Sequence, residues 1–76
     1  MTTRRPRKAP AIDFSREPTP EEIRTARQAA NLTQTQAAEL LHTSCRTWQQ
    51  WEAPEASSTH RSMHRAFWEL FVLKTH

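Results

Sequence analysis

The chain has no glycine and a single cysteine among its 76 residues. Without glycine it cannot build a glycine-rich loop that folds its backbone around a phosphate. A lone Cys45 cannot close an internal disulfide, which suits a reducing compartment. Long apolar runs are also missing, so no transmembrane helix is predicted. The Arg-rich start is not followed by an apolar stretch, and a secretory signal is therefore not expected.

What is present points to one small folded domain. Apolar residues make up 36% of the chain and include three Trp and three Phe, too many for a wholly disordered polymer. A domain of this length buries a small core, which dimerisation or a ligand would support. The net charge of +3 is unevenly placed. Arg4, Arg5, Arg7 and Lys8 precede the first acidic residue, Asp13; from there on, seven Lys/Arg face eight Asp/Glu. The basic character thus sits in residues 1–18, read as an extended, flexible arm with Ile12 and Phe14 as anchors on the body. Such an arm suits phosphate attraction as well as it suits a solvated terminus.

Residues 19–76 carry repeated helix-start chemistry. "TPEE" offers Thr19 as N-cap, Pro20 at the first helical position and Glu22 to close a capping box. Helical spacing then runs to Asn31, a residue that tolerates the left-handed geometry of a helix end. Thr33 and Gln36 form a second box, with Ala37, Leu40 and Leu41 facing a core. After His42 and Thr43, Ser44 caps a third helix over 45–52, with Trp48 and Trp51 on one side and Arg46, Gln49 and Gln50 on the others. Pro54 ends it, "APEASSTH" is a polar loop, and a fourth helix is predicted from Arg61 or Ser62 to Lys74. Met63, Phe67, Leu70, Phe71 and Lys74 make one stripe on this helix, and Trp68, Val72 and Leu73 widen it. So much apolar surface calls for cover, from the arm or from a second copy. A homodimer seam of Met63, Phe67, Trp68 and Phe71 is expected. The fold class is all-α: four helices, with room for a fifth, and a basic N-terminal arm.

The run "LTQTQAAELLHTSCRTWQQWE", with "EEIRTARQAAN" before it, resembles the phage-repressor-like (Xre-type) helix-turn-helix family of transcriptional regulators. The likeness covers residues 19 to about 52 and, more loosely, on to 74. It implies that the third helix enters the major groove of double-stranded DNA, with Ser44, Cys45, Arg46 and Gln50 toward the bases and Gln49 beside them. The side-chain chemistry suits that role, since Arg can bridge guanine, Gln can pair with adenine, and Cys45 and Thr47 are short enough for close contact. The family pattern also makes Gln34 a phosphate contact, with Thr43 in a similar role, and pairs Arg27 with Glu52 as a structural clamp. Arg4, Arg5 and Arg7 would follow the backbone or enter the minor groove. His42 stands where the family often has glycine, and the loop after the third helix is longer than usual. The implied function is a homodimeric repressor, often of its own promoter, on an inverted-repeat operator in a bacterial cytoplasm. Anti-CRISPR-associated regulators and toxin–antitoxin regulators of phage and mobile elements are settings that fit.

Other constellations are weaker. His42-x-x-Cys45 and His60-x-x-x-His64 loosely echo zinc-ligand spacing, but both halves would have to converge. Cys45 has no recognisable acid or oxyanion element nearby, so no catalytic residue is assigned and an enzyme is not expected. No metal, cofactor or small-molecule ligand is expected either. Trp48 and Trp51 read most simply as core, with stacking on single-stranded bases the alternative for one of them. The rival function is a protein-interaction module, antitoxin-like or RNA-contacting, that uses the aromatic C-terminal helix.

Overall fold

Caps set the boundaries of the helices. The computed structural model describes residues 14–75, and among them the chain forms four helices and no strand. They are α1 (Pro20–Ala29), α2 (Gln34–Leu40), α3 (Cys45–Glu52) and α4 (Arg65–Thr75). The all-α class read from the sequence is therefore the observed one. Thr19 and Thr33 open α1 and α2 with complete capping boxes, closed by the side chains of Glu22 and Gln36. Ser44 caps α3 by accepting the Thr47 N–H.

The ends of α1 and α2 solve one problem in the same way. Each chain reversal needs a residue at positive φ, normally glycine, and the sequence has none. Asn31 and His42 take the position instead, both at φ 59°. Around each lies the same pair of bonds. Asn31 N–H donates to Gln28 and Leu32 N–H to Arg27; His42 N–H donates to Glu39 and Thr43 N–H to Ala38. These close the orphan carbonyls of each final turn. Helix α3 ends differently: Ala53 turns extended at ψ 146°, as the following Pro54 favours.

The fourth helix starts later than the sequence suggests, at Arg65 and not at Arg61 or Ser62. The Arg61 N–H donates to the Gln50 carbonyl, which ties the incoming stretch of loop to the end of α3. Met63 then enters the core from a segment that precedes the helix. Only at His64 does a cap appear, where the ring Nδ1 accepts the Ala66 N–H at 3.0 Å.

The core is a chain of rings. Trp68 stacks on Phe71, Phe71 lies 5.1 Å from Trp48, Trp48 meets Trp51 edge-on at 5.5 Å, and Trp51 touches Phe67. Ile23, Ala37, Ala38, Leu41 and Met63 complete it. The small Ala37 and Ala38 let α2 and α3 pack more extensively than any other helix pair. Lys74 donates to the Leu40 carbonyl at 2.7 Å, placing a cation on the negative end of α2 and joining α4 to it.

The last residues of the arm, 14–18, pack on this body, with Phe14 as the anchor expected from the sequence. Phe14 packs on the core and Pro18 is buried. Arg65 donates to the Ser15 carbonyl, and Arg16 forks onto both oxygens of Glu22. That Arg16 fork is the main reason the Glu22 carboxyl sits below its ordinary value, with the Thr19 N–H second. Arg4, Arg5, Arg7 and Ile12 lie outside the described residues.

Candidate nucleic-acid interface

Helix α3 turns one side inward and leaves most polar side chains of the other without a partner among the described residues. On the inner side Trp48 and Trp51 enter the core at 0% and 5% exposure, and Glu52 is buried with them. A buried carboxylate must be paired, and Glu52 is bonded on both oxygens. Arg27 forks onto it, Nε to Oε2 at 2.6 Å and Nη2 to Oε1 at 3.2 Å. The Trp48 indole N–H donates to Oε2, and the Gln34 amide donates to Oε1 at 3.2 Å. Burial by itself pushes the Glu52 carboxyl up, but the bonds from Arg27, Trp48 and Gln34 outweigh it and hold the group below its ordinary value. Arg27 also donates to the Leu32 carbonyl, so one guanidinium links α1, the turn after it and the last residue of α3. The Arg27–Glu52 clamp implied by the family resemblance is thus present in the geometry.

The outer side carries Cys45, Arg46, Gln49 and Gln50, which fall on one arc of the helix. Arg46 and Gln49 are exposed, while Cys45 and Gln50 are half-buried. Among the described residues, the side chains of Arg46, Gln49 and Gln50 make no hydrogen bond or ion pair. Cys45 accepts the Thr35 hydroxyl at 3.3 Å, a contact the sequence does not announce. Ser44 is exposed, but its hydroxyl already accepts the Thr47 N–H and pairs with the Thr47 hydroxyl at 3.0 Å. Its first duty is therefore the cap. This strip of long polar groups stands on a helix whose other side is fixed by rings and a saturated carboxylate.

The remaining expected positions divide. Gln34 is half-buried, and one of its amide donors is engaged by Glu52, a partner not anticipated. Thr43 is half-buried in the turn. The seam residues need correcting: Met63, Trp68 and Phe71 are 0%, 5% and 0% exposed within this single chain, so they are its core and not a surface for a second copy. A helix that is apolar on most sides does not reveal which side the Trp48 ring will take. Phe67, 41% exposed, stays at the surface with its ring against Trp51, and Leu73 is 69% exposed.

No three His, Cys, Asp or Glu side chains converge in metal-ligand fashion among the described residues. The His60 Nδ1 lies 3.0 Å from the Ala53 carbonyl oxygen and the His64 Nδ1 accepts the Ala66 N–H, so both serve local backbone. No helix among the described residues is long and apolar enough to cross a membrane. No protein-family model and no curated protein sequence matches the chain.

Proposed function

We propose that the chain is a sequence-specific double-stranded DNA-binding transcriptional regulator, a homodimeric repressor of the phage-repressor-like helix-turn-helix type. One observation carries this reading: the side chains of Arg46, Gln49 and Gln50 share the outer side of α3 with no hydrogen-bond or ion-pair partner among the described residues, while its inner side is held by Trp48, Trp51 and Glu52. Long side chains with unmet donors and acceptors, on a helix fixed in angle, suit the edges of bases in a major groove. Arg46 would bridge a guanine, Gln50 or Gln49 an adenine, and Cys45 would lie against the groove floor. Gln34 and Thr43 would meet phosphates, with Arg4, Arg5 and Arg7 of the arm adding charge. The setting is a bacterial cytoplasm, and the resemblance suggests phage or mobile-element operons.

A second copy would meet this one through what α4 leaves outside, Phe67 and Leu73, with the half-buried Leu70 between them. Selection from a random duplex pool should enrich an inverted repeat with half-site centres about 10 base pairs apart. Recovery of no preferred duplex contradicts the reading. The exposed Leu73 favours one rival, in which α4 docks on a different protein. Leu73→Glu separates the two. Under the proposal it lowers the mass in solution and weakens binding to the two-half-site duplex; under the rival it leaves both unchanged.

A further inference from the structure

The carboxylate that fixes α3 also reveals a cation it does not need. Glu52 already accepts four hydrogen bonds, two from Arg27 and one each from Trp48 and Gln34. That fills the sites a carboxylate offers. Arg24, one turn before Arg27 on α1, nevertheless lies over the same Oε1, with its Nε at 3.9 Å. This is too long for a hydrogen bond. The Arg24 side chain is 44% exposed, against 14% for Arg27, and none of its donors makes a hydrogen bond among the described residues. Two guanidinium groups therefore face a single carboxylate, and the outer one retains its charge and its fork of donors toward solvent.

Its position gives that fork a use. The Gln34 amide donates to the same Oε1 at 3.2 Å, so the Arg24 guanidinium and the Gln34 amide meet at one carboxylate oxygen. Glu52 lies one helical turn beyond Gln49, so the carboxylate that both groups meet neighbours the Gln49 edge of the outer strip of α3. A guanidinium fork beside an amide donor matches the oxygens of a phosphodiester.

We propose that Arg24, together with Gln34, grips a backbone phosphate of duplex DNA along the Gln49 edge of α3. Arg24 is a positioning residue here: it sets the depth and angle of the helix in the groove and reads no base. The inference rests on the reading of α3 as the base-facing helix. The phosphate is that of the DNA strand flanking the groove, and the contact adds one neutralised charge to the interface.

The test measures binding of the full chain to the duplex enriched by selection and to a mixed-sequence duplex, across a salt series. Arg24→Ala should weaken both by a similar several-fold factor at low salt and make the slope of log K against log[salt] shallower by about 0.9. Arg24→Lys should restore most of the slope, because it keeps the charge. The melting temperature should stay unchanged in both variants, since Glu52 keeps its four bonds. If wild type binds and Arg24→Ala leaves the salt slope unchanged, the phosphate grip is wrong and the reading of α3 stands. A slope restored by Arg24→Gln as fully as by Arg24→Lys also overturns it. If wild type binds no duplex, the inference falls together with the reading beneath it.

Discussion

The two sides of α3 differ in one respect: whether their polar groups have partners. Glu52 on the inner side takes four hydrogen bonds and sits at 5% side-chain exposure. Arg46 and Gln49 on the outer side are exposed and take none among the described residues. Eight residues thus carry both a buried carboxylate with four partners and exposed polar side chains with none among the described residues. Side chains that serve the fold are consumed by it, and those left over are the candidates for contact with something else. On this contrast, inner changes should cost stability and outer changes should cost only binding.

The largest effect should come from breaking the inner side. Glu52→Ala leaves Arg27, the Trp48 indole and Gln34 without their acceptor, a loss of about 3–5 kcal/mol for a disrupted buried pair. Trp48→Ala should cost about 3–5 kcal/mol by removing the ring at the centre of the aromatic chain. A chain of this length has about 4–11 kcal/mol of stability in total. Either variant should therefore show a sharply lower thermal midpoint, or lose cooperative unfolding, by circular dichroism. An unchanged midpoint for Glu52→Ala would mean that the clamp does not bear on the fold.

Acid should produce a smaller loss on the same side. Glu22 and Glu52 both sit below the ordinary carboxylate value of 4.5 when folded. Their contribution is complete above that unfolded value and disappears as pH falls through the lowered folded values. Thermal midpoints should thus be flat above about pH 5 and fall below about pH 4.5. Glu52→Gln should reduce the steepness of that fall, although its midpoint at neutral pH is already lower.

Smaller still is the effect at the turn between α2 and α3. His42 holds φ 59° with a side chain that glycine would not carry. His42→Gly should raise stability by about 0.5–1 kcal/mol, the relief of left-handed strain less the added freedom of the unfolded chain. The smallest change belongs to the outer side. Arg46→Ala and Gln50→Ala should shift stability by no more than about 0.5 kcal/mol in urea titrations. A larger shift would place those side chains in the fold and dissolve the contrast.

Much of this division is legible in the sequence, for local reasons. Thr19, Thr33 and Ser44 cap the backbone within three residues of themselves, so their roles follow from spacing alone. Asn31 and His42 stand out because a chain without glycine must reverse on something. The Arg27–Glu52 clamp spans 25 positions and is reached only through the family resemblance. Nothing local announces that Trp48 and Gln34 share that carboxylate, or that Arg24 lies outside it. The fourth helix is the least legible part. Its cap is a His ring, an uncommon one, and its inward side is chosen by the shape of the Trp48–Trp51 surface it meets. Phe14 is legible as an anchor of the arm, whereas the burial of Pro18 has no local signal in the sequence.

The central claim, that the outer side of α3 reads bases, is tested most directly by a cycle on one contact. Binding is measured for wild type and Arg46→Ala, each on the selected duplex and on a duplex with its most strongly selected guanine replaced. Wild type should lose about 1–3 kcal/mol on the replaced duplex, and Arg46→Ala should bind both duplexes alike. If Arg46→Ala still distinguishes them by the full wild-type margin, Arg46 does not read that base and the assigned register of α3 on DNA is wrong.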